Sequence, residues 1–218
     1  MANTKTHIPR NYIFDFDGTI ADSLPAFIAI FNKTIRGNTS PLTPDEIQAF
    51  RGMTSRQAIR MAGVRWWQVP KLLMQAMPDF HALAAELEPF PDMPKVIKQL
   101  HARGDKLFIV TSNTRDSVDL FLRAHKLEGY FEDIVTSASV FNKARSIRCL
   151  IARNRLKRRS CYYIGDETRD VRAARLAFIK VASVSWGFNT PEILRKQRPT
   201  KLIHEPKEIL TLFEKEVS

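Results

Sequence analysis

Short apolar runs that alternate with helical stretches limit what this chain can fold into. A helical pattern over Met93 to Arg103 ends at Gly104, a suitable residue just past a helix end. An apolar run from Leu107 to Val110 follows, then a helical stretch over Arg115 to His125 and a short run near Ile134-Val135. The pattern repeats: helix Lys143 to Arg155, run Cys161 to Ile164, helix Arg169 to Ala177, run Lys180 to Val184. Leu202-Ile203 and a last helix near Glu208 to Lys215 close it. Strands that alternate with helices predict a mostly parallel sheet covered on both faces.

The first apolar run, residues 11 to 16, stands apart from the others. Helical spacing (Leu24, Phe27, Ile28, Phe31) follows it, and the helical region continues to residue 88. The chain thus reads as an α/β domain interrupted by an all-helical insert. Thr43-Pro44-Asp45-Glu46 has the form of a helix start, with Thr43 as cap. Thr54 or Ser55 is placed to cap another helix. Trp66, Trp67, Leu72, Leu73 and Met77 are read as core of the insert.

Ligands of parallel sheets bind beyond the carboxyl ends of the strands. Four polar clusters lie there. Asp15-Phe16-Asp17-Gly18-Thr19 follows Tyr12-Ile13-Phe14, and Asp15 and Asp17 share a face if the strand persists. Like charges that close call for a cation or a shared proton. Thr111-Ser112-Asn113 offers hydroxyls, an amide and backbone N–H groups to phosphate oxygens; taken alone it reads first as a strand-end turn with Asn capping a helix. Lys143 opens a helix with Asn142 as its expected cap, where a lysine opposes the helix dipole unless an anion sits nearby. Gly165-Asp166-Glu167-Thr168-Arg169-Asp170 supplies three acids in five residues, oxygen ligands of the kind hard cations take.

Composition narrows the class further. The 218 residues suffice for one sizeable core plus a small second unit. No apolar run approaches the roughly 20 residues of a membrane span. Two cysteines, Cys149 and Cys161, make neither a disulfide framework nor a metal motif. With no signal-peptide pattern after Met1, the expectation is a reduced, cytoplasmic protein. Much of the net charge of +11 falls between Lys143 and Arg159, which hold eight basic residues and no acid. That stretch reads either as a solvated helix face or as an attraction for phosphorylated substrates. No nucleic-acid-binding signature accompanies it.

In chain order the clusters run acid pair, hydroxyl, lysine, acid cluster. Together they resemble the haloacid dehalogenase-like phosphohydrolase superfamily. The resemblance is closest at Asp15 to Ser23 and at Tyr163 to Ala174, and good at Phe108 to Asn113. It continues into Val184-Ser185-Trp186-Gly187-Phe188-Asn189, which is similar to phosphoglycolate phosphatase-like members. Two positions depart from the pattern. Ala144 follows Lys143 where relatives often have proline, and Phe178 stands where many have glycine, so a local backbone change is expected there.

The resemblance implies a Rossmann-like three-layer core over residues 1–21 and 89–218, with a C1-type helical cap inserted over 22–88. It implies Asp15 as nucleophile, forming an aspartyl-phosphate, and Asp17 as general acid and base. Mg²⁺ would be held by the Asp15 carboxylate, the Asp17 carbonyl and Asp166, with Asp170 assisting. Thr111, Ser112, Asn113 and Lys143 would hold the phosphate. A small phosphorylated metabolite is the expected partner, with neither membrane nor nucleic acid. Asp17 favours phosphoryl chemistry over dehalogenation, and a phosphomutase shares the same set. A non-catalytic binder of phosphate or nucleic acid is the reading from another class. In the cap, Arg51-Gly52-Met53-Thr54-Ser55-Arg56 lies where relatives carry a substrate-facing loop, so Arg56, or Arg51, is expected to meet an anionic part of the substrate.

Overall fold

A computed structural model describes residues 9–36, 40–136 and 142–214. Six strands form one sheet: β1 (Asn11–Phe14), β2 (Lys106–Thr111), β3 (Asp133–Thr136), β4 (Cys161–Gly165), β5 (Lys180–Val184) and β6 (Lys201–Ile203). Their order is β3-β2-β1-β4-β5-β6, and every pairing is parallel. The chain builds outward from β1 in one direction, then returns to add β4 on its other side. That reversal leaves a crevice at the carboxyl ends of β1 and β4.

Alternation along β1 explains the layers. Tyr12 and Phe14 point to one face and join a cluster with Ile97, Leu100 and Phe121. Ile13 points to the other and packs with Ile147, Leu150 and Val171. On the first face lie α5 (Met93–Ala102) and α6 (Arg115–Ala124); on the second lie α7 (Lys143–Arg153) and α8 (Thr168–Leu176). The short helix α9 (Pro191–Lys196) precedes β6.

The insert contributes α1 (Leu24–Phe31), which continues as π-helical turns over Asn32–Arg36, then α2 (Pro44–Arg51), α3 (Ser55–Met61) and α4 (Val69–Leu83). The expected caps are present. Thr43 accepts from the Glu46 N–H and Thr54 from the Gln57 N–H, each with the reciprocal side-chain bond. The chain leaves and re-enters the core side by side: Asp22 N–H donates to Glu88 O at 2.9 Å and Phe90 N–H to Ile20 O at 3.0 Å. No helix among the described residues is long and apolar enough to cross a membrane.

Several expectations are corrected. Trp66 and Trp67 are not core; they are 72% and 56% exposed, packed edge to face on each other. Asn142 makes no side-chain cap bond to α7. The last helix is a 3₁₀ segment, Pro206–Thr211, with Glu208 folded back to accept from the His204 and Glu205 N–H groups at its start; Lys215 lies outside the described residues. Phe178 brings no new backbone shape, since its φ of 59° is the left-handed conformation that glycine favours.

Candidate active site

β1 ends at Phe14, earlier than the apolar pattern predicts. The Phe16 carbonyl accepts from the N–H groups of Thr19, Ile20 and Ala21, which turns the chain sharply. Asp15 and Asp17 therefore do not lie along one continuous strand. Asp15 is buried, its N–H still bonded to Ile164 O at 2.8 Å, while Asp17 is half-buried.

Lys143 reaches this point from the first turn of α7. Its Nζ donates to Asp15 Oδ2 at 2.5 Å and to Asp170 Oδ1 at 2.6 Å, with all three side chains buried. Burial would lower the lysine pKa, but Asp15 and Asp170 hold it above the ordinary value. Asp15 shifts upward too: burial raises it, and Lys143 only partly opposes this. Asp166 is pushed well up by burial and by the charges of Glu167, Asp170 and Asp15. Oxygens of Asp15, Asp166 and Asp170 lie within 4.8 Å of one another.

Each acid has a set orientation. Asp166 accepts from Thr19 Oγ1 at 3.0 Å and from the Phe188 N–H at 2.7 Å. Asp170 accepts from the Glu167 N–H at 2.9 Å, which also closes the first turn of α8. Positions 187 and 18 beside them require glycine. A methyl group on Gly187 would overlap the Gly18 carbonyl oxygen and the Asp166 side chain. Gly18 has φ 72° and the Asp166 carboxylate where its side chain would be.

At the end of β2, Thr111 Oγ1 accepts from the Asn113 N–H at 3.0 Å. Asn113 Nδ2 donates to both oxygens of Asp17, at 3.4 and 3.2 Å. Asn113 thus orients the second aspartate, and the capping of α6 falls to Thr114. Burial raises the Asp17 pKa, against the pull of the Ser23 and Asn113 side chains. Ser112 and Asn113 face a cavity that opens towards the cap.

The two cap arginines are placed differently from each other. Arg51 donates to Phe188 O at 3.2 Å and Gly187 O at 3.0 Å, so it ties the cap to the core. Arg56 is exposed on α3 and does not line the cavity. Three groups escaped the sequence reading. Asn189 donates to the carbonyls of Arg51 and Met53 and accepts from the Thr168 N–H. Ser55 donates to Glu167 Oε2 at 3.1 Å across the same junction. Arg169 pairs with Glu167 and lines the cavity, its pKa raised by Glu167, Asp170 and Asp15 although burial works against it. Their only sequence signal was the similarity around Trp186 to Asn189 and the Glu167-to-Asp170 motif. In the basic stretch, Arg145, Arg148, Arg155, Lys157, Arg158 and Arg159 are exposed, and Lys143 alone enters the site.

With this geometry in hand, comparison with known proteins is specific. The description "Haloacid dehalogenase-like hydrolase" matches residues 12–184. A phosphoglycolate phosphatase of Synechococcus elongatus is 33% identical over 199 residues, 91% of this chain and 94% of that protein. A pyrophosphatase, PpaX, of Anoxybacillus flavithermus is 26% identical over 213 residues, 92% of this chain and 95% of that protein. A solved haloacid dehalogenase-like hydrolase from Streptococcus pneumoniae superposes with a TM-score of 0.79 at 23% identity, covering 94% of this chain and 99% of that one. The chain belongs to the haloacid dehalogenase-like hydrolase family. Within it, the chain is a phosphatase.

Proposed function

We propose that the chain hydrolyses a small phosphomonoester in a Mg²⁺-dependent reaction, with Asp15 as nucleophile. The observation that carries this reading is the buried cluster of Asp15, Lys143, Asp166 and Asp170 at the crevice, with Asp17 held beside it by Asn113. Residues 1–21 and 89–218 are the catalytic core in this account, and residues 22–88 are the cap.

An Asp15 oxygen attacks phosphorus and the bond to the leaving oxygen breaks, giving an aspartyl-phosphate. Asp17 gives its proton to the leaving oxygen, then takes one from the water that attacks the phosphorylated Asp15. A pKa raised by burial supports the protonated starting state of Asp17. Thr111, Ser112 and Lys143 receive the phosphate oxygens, and Asn113 orients Asp17. Lys143 offsets charge between Asp15 and the incoming anion.

The donor set fits a hard divalent cation. Three carboxylates crowd together, all oxygen donors, and Asp166 is pushed well above its ordinary pKa by burial and by its acidic neighbours. Asp15, Asp166 and the Asp17 carbonyl would hold the ion, with Asp170 alongside. When bound, Mg²⁺ supplies positive charge that screens the phosphate from the carboxylates. Phosphate release from an aryl phosphate should require Mg²⁺, stop with a chelator, and be lost in Asp15→Asn. Undiminished release by Asp15→Asn would contradict the nucleophile assignment.

A further inference from the structure

Next to the catalytic residues lies a cavity of about 320 Å³, a size that holds a small organic ligand. One end is polar and catalytic, formed by Asp17, Ser112, Asn113 and Arg169. The rest is the inner surface of the cap. Phe27, Phe31, Phe50, Ile59, Leu73 and Phe80 line it, and Phe188 of the core meets Phe27 with ring centroids 5.4 Å apart. Apolar side chains that a closed core would bury are thus turned towards the site: α2 and α3 have no buried residue, and Phe27 is 39% exposed.

The cap offers this cavity little polar chemistry. Among the described cap residues that line it, only Thr34, Arg51 and Ser55 are polar. Arg51 is bonded to the carbonyls of Gly187 and Phe188, and Ser55 to Glu167. Among the described residues, a carboxylate or sugar on the leaving side of the substrate would meet as a cation in the cap lining only Arg51, already bonded to the core, and would lose its hydration against phenylalanine and leucine. An apolar group would gain by displacing water from the same walls.

We infer that the substrate is a phosphomonoester of an apolar alcohol, with its phosphate at Asp15 and its alkyl or aryl portion in the cap cavity. This rests on the phosphatase reading above and extends it to the substrate class. Selectivity comes from the walls. Each methylene moved from water into them is worth about fourfold in affinity.

Binding and hydrolysis separate the two layers of the account. Asp15→Asn protein in Mg²⁺, titrated calorimetrically with hexyl and methyl phosphate, should bind the hexyl ester at least about 30-fold tighter, the equivalent of two to three buried methylenes. Wild-type protein should show a higher kcat/KM for hexyl phosphate than for 2-phosphoglycolate. Ile59→Trp, which fills the cavity, should lower kcat/KM for hexyl phosphate about tenfold more than for methyl phosphate. Equal binding of the two alkyl esters, or a preference for 2-phosphoglycolate, overturns the inference and leaves the phosphatase reading intact. Tight hexyl phosphate binding without hydrolysis of any ester by wild type supports the apolar site and overturns the phosphatase reading.

Discussion

The sheet and the cap are built on different principles. In the sheet layers, each of α5, α6, α7 and α8 buries at least four residues against strands that are themselves buried. In the cap, α1 and α4 bury one residue each, and α2 and α3 bury none. The cap helices rely on local devices instead: capping boxes at Thr43 and Thr54, and prolines in the first turn of α1, α2 and α4. A few directional bonds attach them to the core, through Arg51, Ser55 and Asn189. Dense packing holds charged groups to a fixed geometry, which phosphoryl transfer requires. A lightly packed layer leaves room for the rest of a substrate.

If that contrast is right, substitutions should fall in a definite order. Lys143→Met in the core should be the most damaging. It leaves Asp15 and Asp170 buried without their cation, a loss of about 3–5 kcal/mol in urea denaturation. It should also lower kcat on the order of 10²–10³-fold. Mg²⁺ should then raise the melting temperature of this variant more than that of wild type, because loss of the lysine charge tightens binding of the ion to the folded cluster. Gly187→Ala comes next. The added methyl displaces Gly18 or Asp166, at a cost of about 1–3 kcal/mol with reduced kcat. Arg51→Ala removes two bonds between cap and core and should cost about 1–2 kcal/mol, seen mainly as a higher KM. Trp66→Ser should change stability by no more than about 0.5 kcal/mol, since its ring is in solvent. A large loss at Trp66, or none at Lys143, would break the comparison.

Legibility in the sequence follows the same division. The core strands stand out because burial on both faces makes them continuous apolar runs, and β5 has the predicted ends, Lys180 and Val184. Asp15, Lys143, Asp166 and Asp170, spread over more than 150 residues, come together because each follows a strand or opens a helix at the carboxyl end of the sheet. The cap was legible only where a signal is local, as at Thr43 and Thr54. Trp66 and Trp67 misled because apolar content does not say which side of a short, thinly packed helix faces inward. The role of Arg51 depends on carbonyls some 136 residues away, which no local pattern encodes. Phe178 keeps a left-handed turn without glycine, 74% exposed and with the Arg158 guanidinium over its ring.

The central claim is that Asp15 carries the phosphoryl group. Rapid acid quenching during turnover of an aryl phosphate in Mg²⁺, followed by mass spectrometry of the peptides, tests it directly. The account predicts one added phosphoryl mass on the peptide containing Asp15, absent in Asp15→Asn and absent without Mg²⁺. Steady turnover with the phosphoryl mass on another residue would contradict it.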